Sequence, residues 1–193
     1  MAPHPRSIRG CPSNRHSSFW LPQIRTGHAV NDTARTVTEP LFVNEPRHPD
    51  LQALYEYWNT LRGARPMPKR TDIDPTAIPK QLPYIIMYNV VPGSGGYTIR
   101  LVGEEVVSFV GRNAAGQPSG SALPPRAAEI LNKVLDSVAT ERVPKFRLGK
   151  AHWQPDKSYR DFEACFLPLS ASGEAVDVIL CGIRFSALRG PQA

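Results

Sequence analysis

The sequence predicts an α+β fold: a five-stranded antiparallel sheet with short helices across one face and an N-terminal amphipathic helix on the other. Three observations carry this. A stripe of apolar residues at helical spacing runs through 49–62. The hydrophobic period then shortens to that of strands on either side of a glycine-rich turn at 92–96. After one long helical stretch the last third returns to strands, and its final hairpin is apolar on both faces.

Leu51, Leu54, Tyr55, Trp58 and Leu61 share one side of a helix over Pro49–Arg62, with Pro49 at its first turn and Gly63 at its stop. Its two aromatics suit a broad, flat target such as a sheet face. Asp74-Pro75 reads as a cap followed by a first-turn proline, and Pro79 limits that helix to a turn or two over 75–80. Residues 84–91 and 97–102 read as a hairpin, the second strand placing Tyr97, Ile99 and Leu101 on one face. Residues 104–110 read as a short helix between Gly103 and Gly111. The stripe Ala127, Ile130, Leu131, Val134, Leu135 and Val138 makes 126–141 the central helix.

Strands are then expected over 146–153, 159–169 and 176–185. A turn centred near Ser172-Gly173 sets Cys165 opposite Cys181, Leu167 opposite Ile179 and Phe166 opposite Leu180. Both faces of this hairpin are apolar, so both must be covered. The facing cysteines are expected as a reduced, buried pair.

Composition bounds the classes. The 193 residues suit one domain with a real core. Three cysteines without a CxxC spacing make no disulfide framework or structural zinc site and favour a reducing, cytoplasmic home. The longest apolar runs, 82–88 and 178–183, fall far short of the roughly 20 residues of a membrane helix. The net charge of +6 is spread along the chain. Its densest basic cluster, Arg62, Arg65, Lys69 and Arg70, lacks interleaved aromatics and reads as a solvated helix end, so no nucleic acid is expected. Residues 1–46, with Pro3, Pro5, Pro12, Pro22 and Pro40 and no sustained period, read as a disordered leader. The apolar island Phe19-Trp20-Leu21 interrupts it. The domain is expected at 47–188 and a tail at 189–193.

A family resemblance sharpens this. The run Tyr57-Trp58, Arg62-Gly63, Met67-Pro68, Arg70, Asp72-Ile73-Asp74-Pro75, Ile78-Pro79 and Leu82-Pro83 resembles the opening of the small stand-alone bacterial PAS-type proteins. Tyr97, Arg100-Leu101-Val102-Gly103, Gly111, Gly116 and Leu167-Pro168-Leu169 fit the same pattern. The resemblance covers about 47 to 186. Two positions depart from it: Glu104 follows Gly103 where the family often has threonine, and Asn113 stands where it tends to have aspartate.

The resemblance implies a PAS fold: a curved sheet that holds helices across a cavity, used in bacterial signalling for sensing and protein interaction, without catalysis. The residues expected to line that cavity are Ile86, Tyr97, Ile99 and Phe109 in the first half. Leu131, Leu135, Phe146, Phe166 and Leu180 are expected in the second. The helix cover is Leu51, Leu54, Tyr55, Trp58 and Leu61. The partners it implies are a signalling protein, a small-molecule ligand and a second copy of the chain.

The chemistry of sites narrows the ligand. A haem sensor of the helix-histidine type needs an imidazole on the central helix, and 126–141 has none. His152, placed on a strand beside Trp153, reads as a rim residue. The segment 112–120 has no cysteine for a flavin adduct. Phosphate-loop, GxSxG and HExxH motifs are missing. No metal and no cofactor are expected, although the lack of a cysteine leaves a non-covalent flavin open. Asp74 reads as a cap and Asp72 as a partner of Arg70.

A competing reading is the cone-shaped fold of ketosteroid-isomerase-like enzymes. In it His152, Tyr159, Asp161 and Glu163 would transfer protons in an apolar cup. A third is a PAS domain whose core is filled and which acts purely through protein contacts.

Overall fold

Pro49 sits in the first turn of α1 (Pro49–Arg62), and His48 Nδ1 accepts from the Asp50 N–H at 3.2 Å. Gly63 then turns the chain out of the helix with φ 54°. The computed structural model describes residues 41–93, 96–157 and 160–186. Within them β1 (Leu41–Val43) precedes α1, and β2 (Ile85–Val91) and β3 (Gly96–Val102) follow it. Next come α2 (Glu104–Val110), α3 (Pro125–Glu141), β4 (Lys145–Lys150), β5 (Asp161–Leu169) and β6 (Val178–Phe185). Short 3₁₀ turns at Arg70–Asp72, Pro75–Ala77 and Leu82–Tyr84 carry the chain from α1 to β2.

The strands form one antiparallel sheet in the order β1-β4-β5-β6-β2-β3. Among the described residues there is thus one strand more than expected. Leu41–Val43 belong to the stretch read as leader, yet they pair with β4, Phe42 opposite Arg147. Three residues are too few to register as a period, and it is the free edge of β4 that orders them. The remaining leader residues 1–40, with Phe19-Trp20-Leu21, and residues 187–193 lie outside the described residues.

Both faces of β5 and β6 are buried. α1 packs on one face, and α3 packs on β5, β6 and β3. Leu51, Leu54 and Trp58 are buried, with Tyr55 and Leu61 half-buried beside them.

Register differs from the expectation by one residue: Cys165 lies opposite Gly182, Phe166 opposite Cys181 and Leu167 opposite Leu180. The close approach of α1 accounts for it. A Cβ at position 182 would lie 2.6 Å from a Leu54 methyl and 3.0 Å from one of Leu51. Glycine therefore has to face the helix. The slip separates the cysteines, Cys165 on the α1 face and Cys181 on the opposite one.

Two further expectations shift. A bulge at Arg100 pairs Met87 with Leu101 but Tyr88 with Ile99, so Leu101 leaves the Tyr97–Ile99 face and is 43% exposed. β4 ends at Lys150 rather than 153, because Gln154 N–H closes a turn on the Ala151 carbonyl at 3.0 Å. His152 and Trp153 thus sit in a turn, not on a strand.

Candidate functional site

The strand alternation places Ile86 and Tyr88 of β2, Phe162 and Phe166 of β5, and Cys181 of β6 on the sheet face opposite α1. The helices α2 and α3 lie over that face without filling it. Val106 and Val110 come from α2, and Ala127, Ile130 and Leu131 from α3. Between helices and sheet is a cavity of about 220 Å³. Ser119, Arg112 and Arg126 lie along it from the loop and helix start, and Arg147, Gly149, His152 and Trp153 from β4 and the turn after it.

Few polar groups reach this space, and burial sets their state. Tyr88 is buried, which pushes its phenol well above the usual value, so it is neutral. Burial, reinforced by Cys165, likewise raises the Cys181 thiol, which is therefore not a ready nucleophile. The Arg147 guanidinium lies 5.1 Å from the centre of the Phe162 ring. Trp153 meets the same ring edge-on at 5.0 Å. Arg147 Nε and Trp153 Nε1 are buried and have no hydrogen-bond acceptor among the described residues. The site can hold an apolar body and offer it donors and positive charge.

The residues expected to line the cavity divide. Ile86, Ile99, Leu131 and Phe166 do line it. Tyr97 is on the same sheet face, but its hydroxyl donates to Asp136 Oδ1 of α3 at 2.7 Å and braces helix to sheet. Leu135 is fully buried on α3 outside the cavity wall. Phe109 stacks on Phe185 at 3.5 Å in a separate cleft. Phe146 and Leu180 lie on the α1 face. Phe146 is opposite Cys165 and edge-on to Tyr55 at 5.0 Å, and Leu180 is opposite Leu167. The register slip moves Leu180. Phe146 faces α1 independently of that slip, because its neighbour Arg147 takes the inner position opposite Ala164.

Sequence reasoning missed Tyr88, Arg147, Trp153 and Cys181 as lining residues. Tyr88 had a signal, since it stands two residues from Ile86 on the same strand. Arg147 had none, since Lys145 and Lys150 make the same short strand basic at both ends.

The carboxylates take no part in the cavity. Asp161 and Glu163 alternate onto the α1 face. There Asp161 binds Lys150 at 2.6 Å, and Glu163 accepts from the backbone N–H groups of Arg47 and His48 just before α1. Tyr159 lies outside the described residues. Among the described residues, Asp161 and Glu163 are thus not brought to the cavity beside His152. Asp72 pairs with Arg65 at 2.8 Å instead of Arg70, while Arg65 also donates to the Leu61 carbonyl, so this basic cluster closes a helix end. Asp74 caps its turn by accepting from Thr76 N–H at 2.9 Å. Asn113 accepts from Ala115 N–H at 2.9 Å, an acceptor role that asparagine and aspartate share. Among the described residues no group of His, Cys, Asp and Glu could hold a metal ion, and no helix is long and apolar enough to cross a membrane.

A PAS domain family model matches residues 46–183. Among solved structures, a light-oxygen-voltage domain described in work on a flavin analogue is similar to this chain at 16% identity. That match covers 58% of this chain and 84% of the other, with a TM-score of 0.37. No curated protein matches.

Proposed function

The chain belongs to the PAS-domain family, and on that premise we propose that it is a sensory and regulatory module of a bacterial cytoplasm which acts by binding alone. A small molecule enters the cavity between α2, α3 and the sheet. The sheet shifts, the seating of α1 changes, and a signalling protein or a second copy of the chain reads the altered outer surface. Catalysis plays no part.

One observation carries the reading: the cavity and α1 use opposite faces of the same two strands. Phe166 and Cys181 border the cavity while their neighbours Cys165, Leu167, Leu180 and Gly182 lie under α1. A displacement of β5 or β6 on one side is necessarily felt on the other, because packed interiors transmit strain. The void supports this reading over a filled core, since it is larger than the roughly 150 Å³ engineered cavity that takes up benzene.

Native mass spectrometry of freshly purified protein, with its absorption spectrum, tests for a resident ligand. Titration with octanol, followed by amide chemical shifts, tests for an accessible cavity. Shifts concentrated at Ile86, Tyr88, Leu131 and Phe166 are expected. A spectrum unmoved by octanol, from protein that carries no resident mass, would count against the cavity as a binding site. A Soret or flavin band would replace the cofactor-free account.

A further inference from the structure

Resting on the reading of the cavity as a ligand site, we propose that its ligand is an amphipathic monocarboxylic acid, whose apolar body fills the cavity and whose carboxylate meets the Arg147 guanidinium.

The two lysines of β4 both have carboxylate partners, Lys145 with Glu141 at 2.5 Å and Lys150 with Asp161 at 2.6 Å. Arg147 lies between them on the inner face and has none among the described residues. Its Nε is buried without an acceptor. Arg147 is half-buried, and a cation drawn partly out of water without a counter-charge is disfavoured, so burial pulls its pKa below the ordinary value. The missing charge is not supplied by the wall, since no aspartate or glutamate lines the cavity. A bound anion would supply it. The planar guanidinium fork matches a carboxylate with two parallel hydrogen bonds.

The surroundings agree. Trp153 Nε1, also buried and unpaired, leans on the same Phe162 ring and offers a further donor. Arg112 and Arg126 line the cavity yet are exposed, so an approaching anion meets positive charge first. Apart from Ser119, Lys150 and His152, the rest of the wall is mainly apolar, which suits an apolar body. A space of about 220 Å³ suits an aryl or medium-chain acid. A carboxylate matches the one inner guanidinium that lacks a carboxylate partner, with Arg112 and Arg126 at exposed positions of the wall and Lys150 paired with Asp161.

Calorimetric titration of the full chain with octanoate, phenylbutanoate and octanol tests this. The acids are expected to bind about tenfold or more tightly than octanol, as a charge-assisted hydrogen bond requires. The better of the two acids separates an alkyl from an aryl body. Arg147→Gln should abolish the preference for acid and leave octanol binding intact, and Arg147→Lys should keep part of it. Equal affinity of octanoate and octanol for the wild-type chain would overturn the assignment while leaving the cavity reading in place. So would an acid preference that survives Arg147→Gln. If none of the three binds to protein stripped of any resident mass, the cavity reading itself fails and this inference with it. Should Arg147→Gln fail to fold, the wild-type comparison of acid with alcohol still decides.

Discussion

Trp58 donates its indole N–H to the carbonyl of Pro168 at 2.9 Å, and so fastens α1 to β5 across 110 residues of chain. The indole is 2% exposed. Removal of the ring by Trp58→Ala should therefore cost about 3–5 kcal/mol. Trp58→Phe keeps most of the volume but leaves the Pro168 carbonyl without this donor, a loss of about 1–3 kcal/mol. Urea denaturation of both variants measures the two terms. An unchanged midpoint for Trp58→Ala would refute the placement of α1.

Gly103 lies where the chain passes under the turn before β2. A Cβ there would sit 2.3 Å from the Pro83 carbonyl oxygen and 2.5 Å from that of Leu82, both backbone atoms that cannot swing aside. Its N–H meanwhile donates to the Ile85 carbonyl at 2.7 Å. Gly103→Ala should destabilise the domain by about 1–3 kcal/mol or more, seen as a lowered Tm. A neutral substitution would mean that the Leu82–Tyr84 turn is not held against β3.

The two described cysteines should be inert. Burial pushes the Cys165 thiol up to about 12 and the Cys181 thiol well above its usual value. They lie on opposite faces of the sheet, so they cannot form a cross-strand disulfide without a register change. Maleimide labelling of the native chain at about pH 8 should leave both unmodified, and denaturant should expose both. Rapid native labelling at either one, or a peptide that links Cys165 to Cys181, would contradict the register.

Asp72 gives a pH signature. The Lys69 backbone N–H and then Arg65 stabilise its charged form, which holds its pKa below the usual carboxylate value. Its contribution is therefore present above the unfolded value of about 4 and is lost as pH falls through the lowered folded value. Asp72→Asn should lower Tm at neutral pH, with the gap to wild type closing in acid. Calorimetry at several pH values checks this, and a gap independent of pH would exclude the carboxylate as its source.

Much of this architecture was legible in the sequence because single residues dictate it. Pro49 and Gly63 bound α1, and the stripe from Leu51 to Leu61 says which side it buries. Several quoted family positions now have physical reasons. The Tyr57 hydroxyl accepts from Asp74 N–H at 2.8 Å, Pro68 O accepts from Ser170 N–H at 3.0 Å, and Gly103 fits under a backbone. The cavity lining was harder to read. It depends on register, and alternation along β5 and β6 is apolar on both faces, so composition does not distinguish them. Only the close approach of Leu54 to Gly182 decides that Leu180 faces α1 and Cys181 the cavity. The bulge at Arg100 and the turn at Ala151 depend on hydrogen bonds between distant strands and leave little local trace. Arg147 was overlooked because a cation on a short strand near the sheet edge is usually solvated.

The central claim is that the cavity and α1 communicate through β5 and β6. Amide hydrogen exchange with and without saturating octanoate tests it most directly. The account predicts that exchange within α1 changes about fivefold or more on ligand binding, as a coupling of ordinary size requires. A ligand that binds and protects α2 and α3 while α1 exchange stays the same would contradict it.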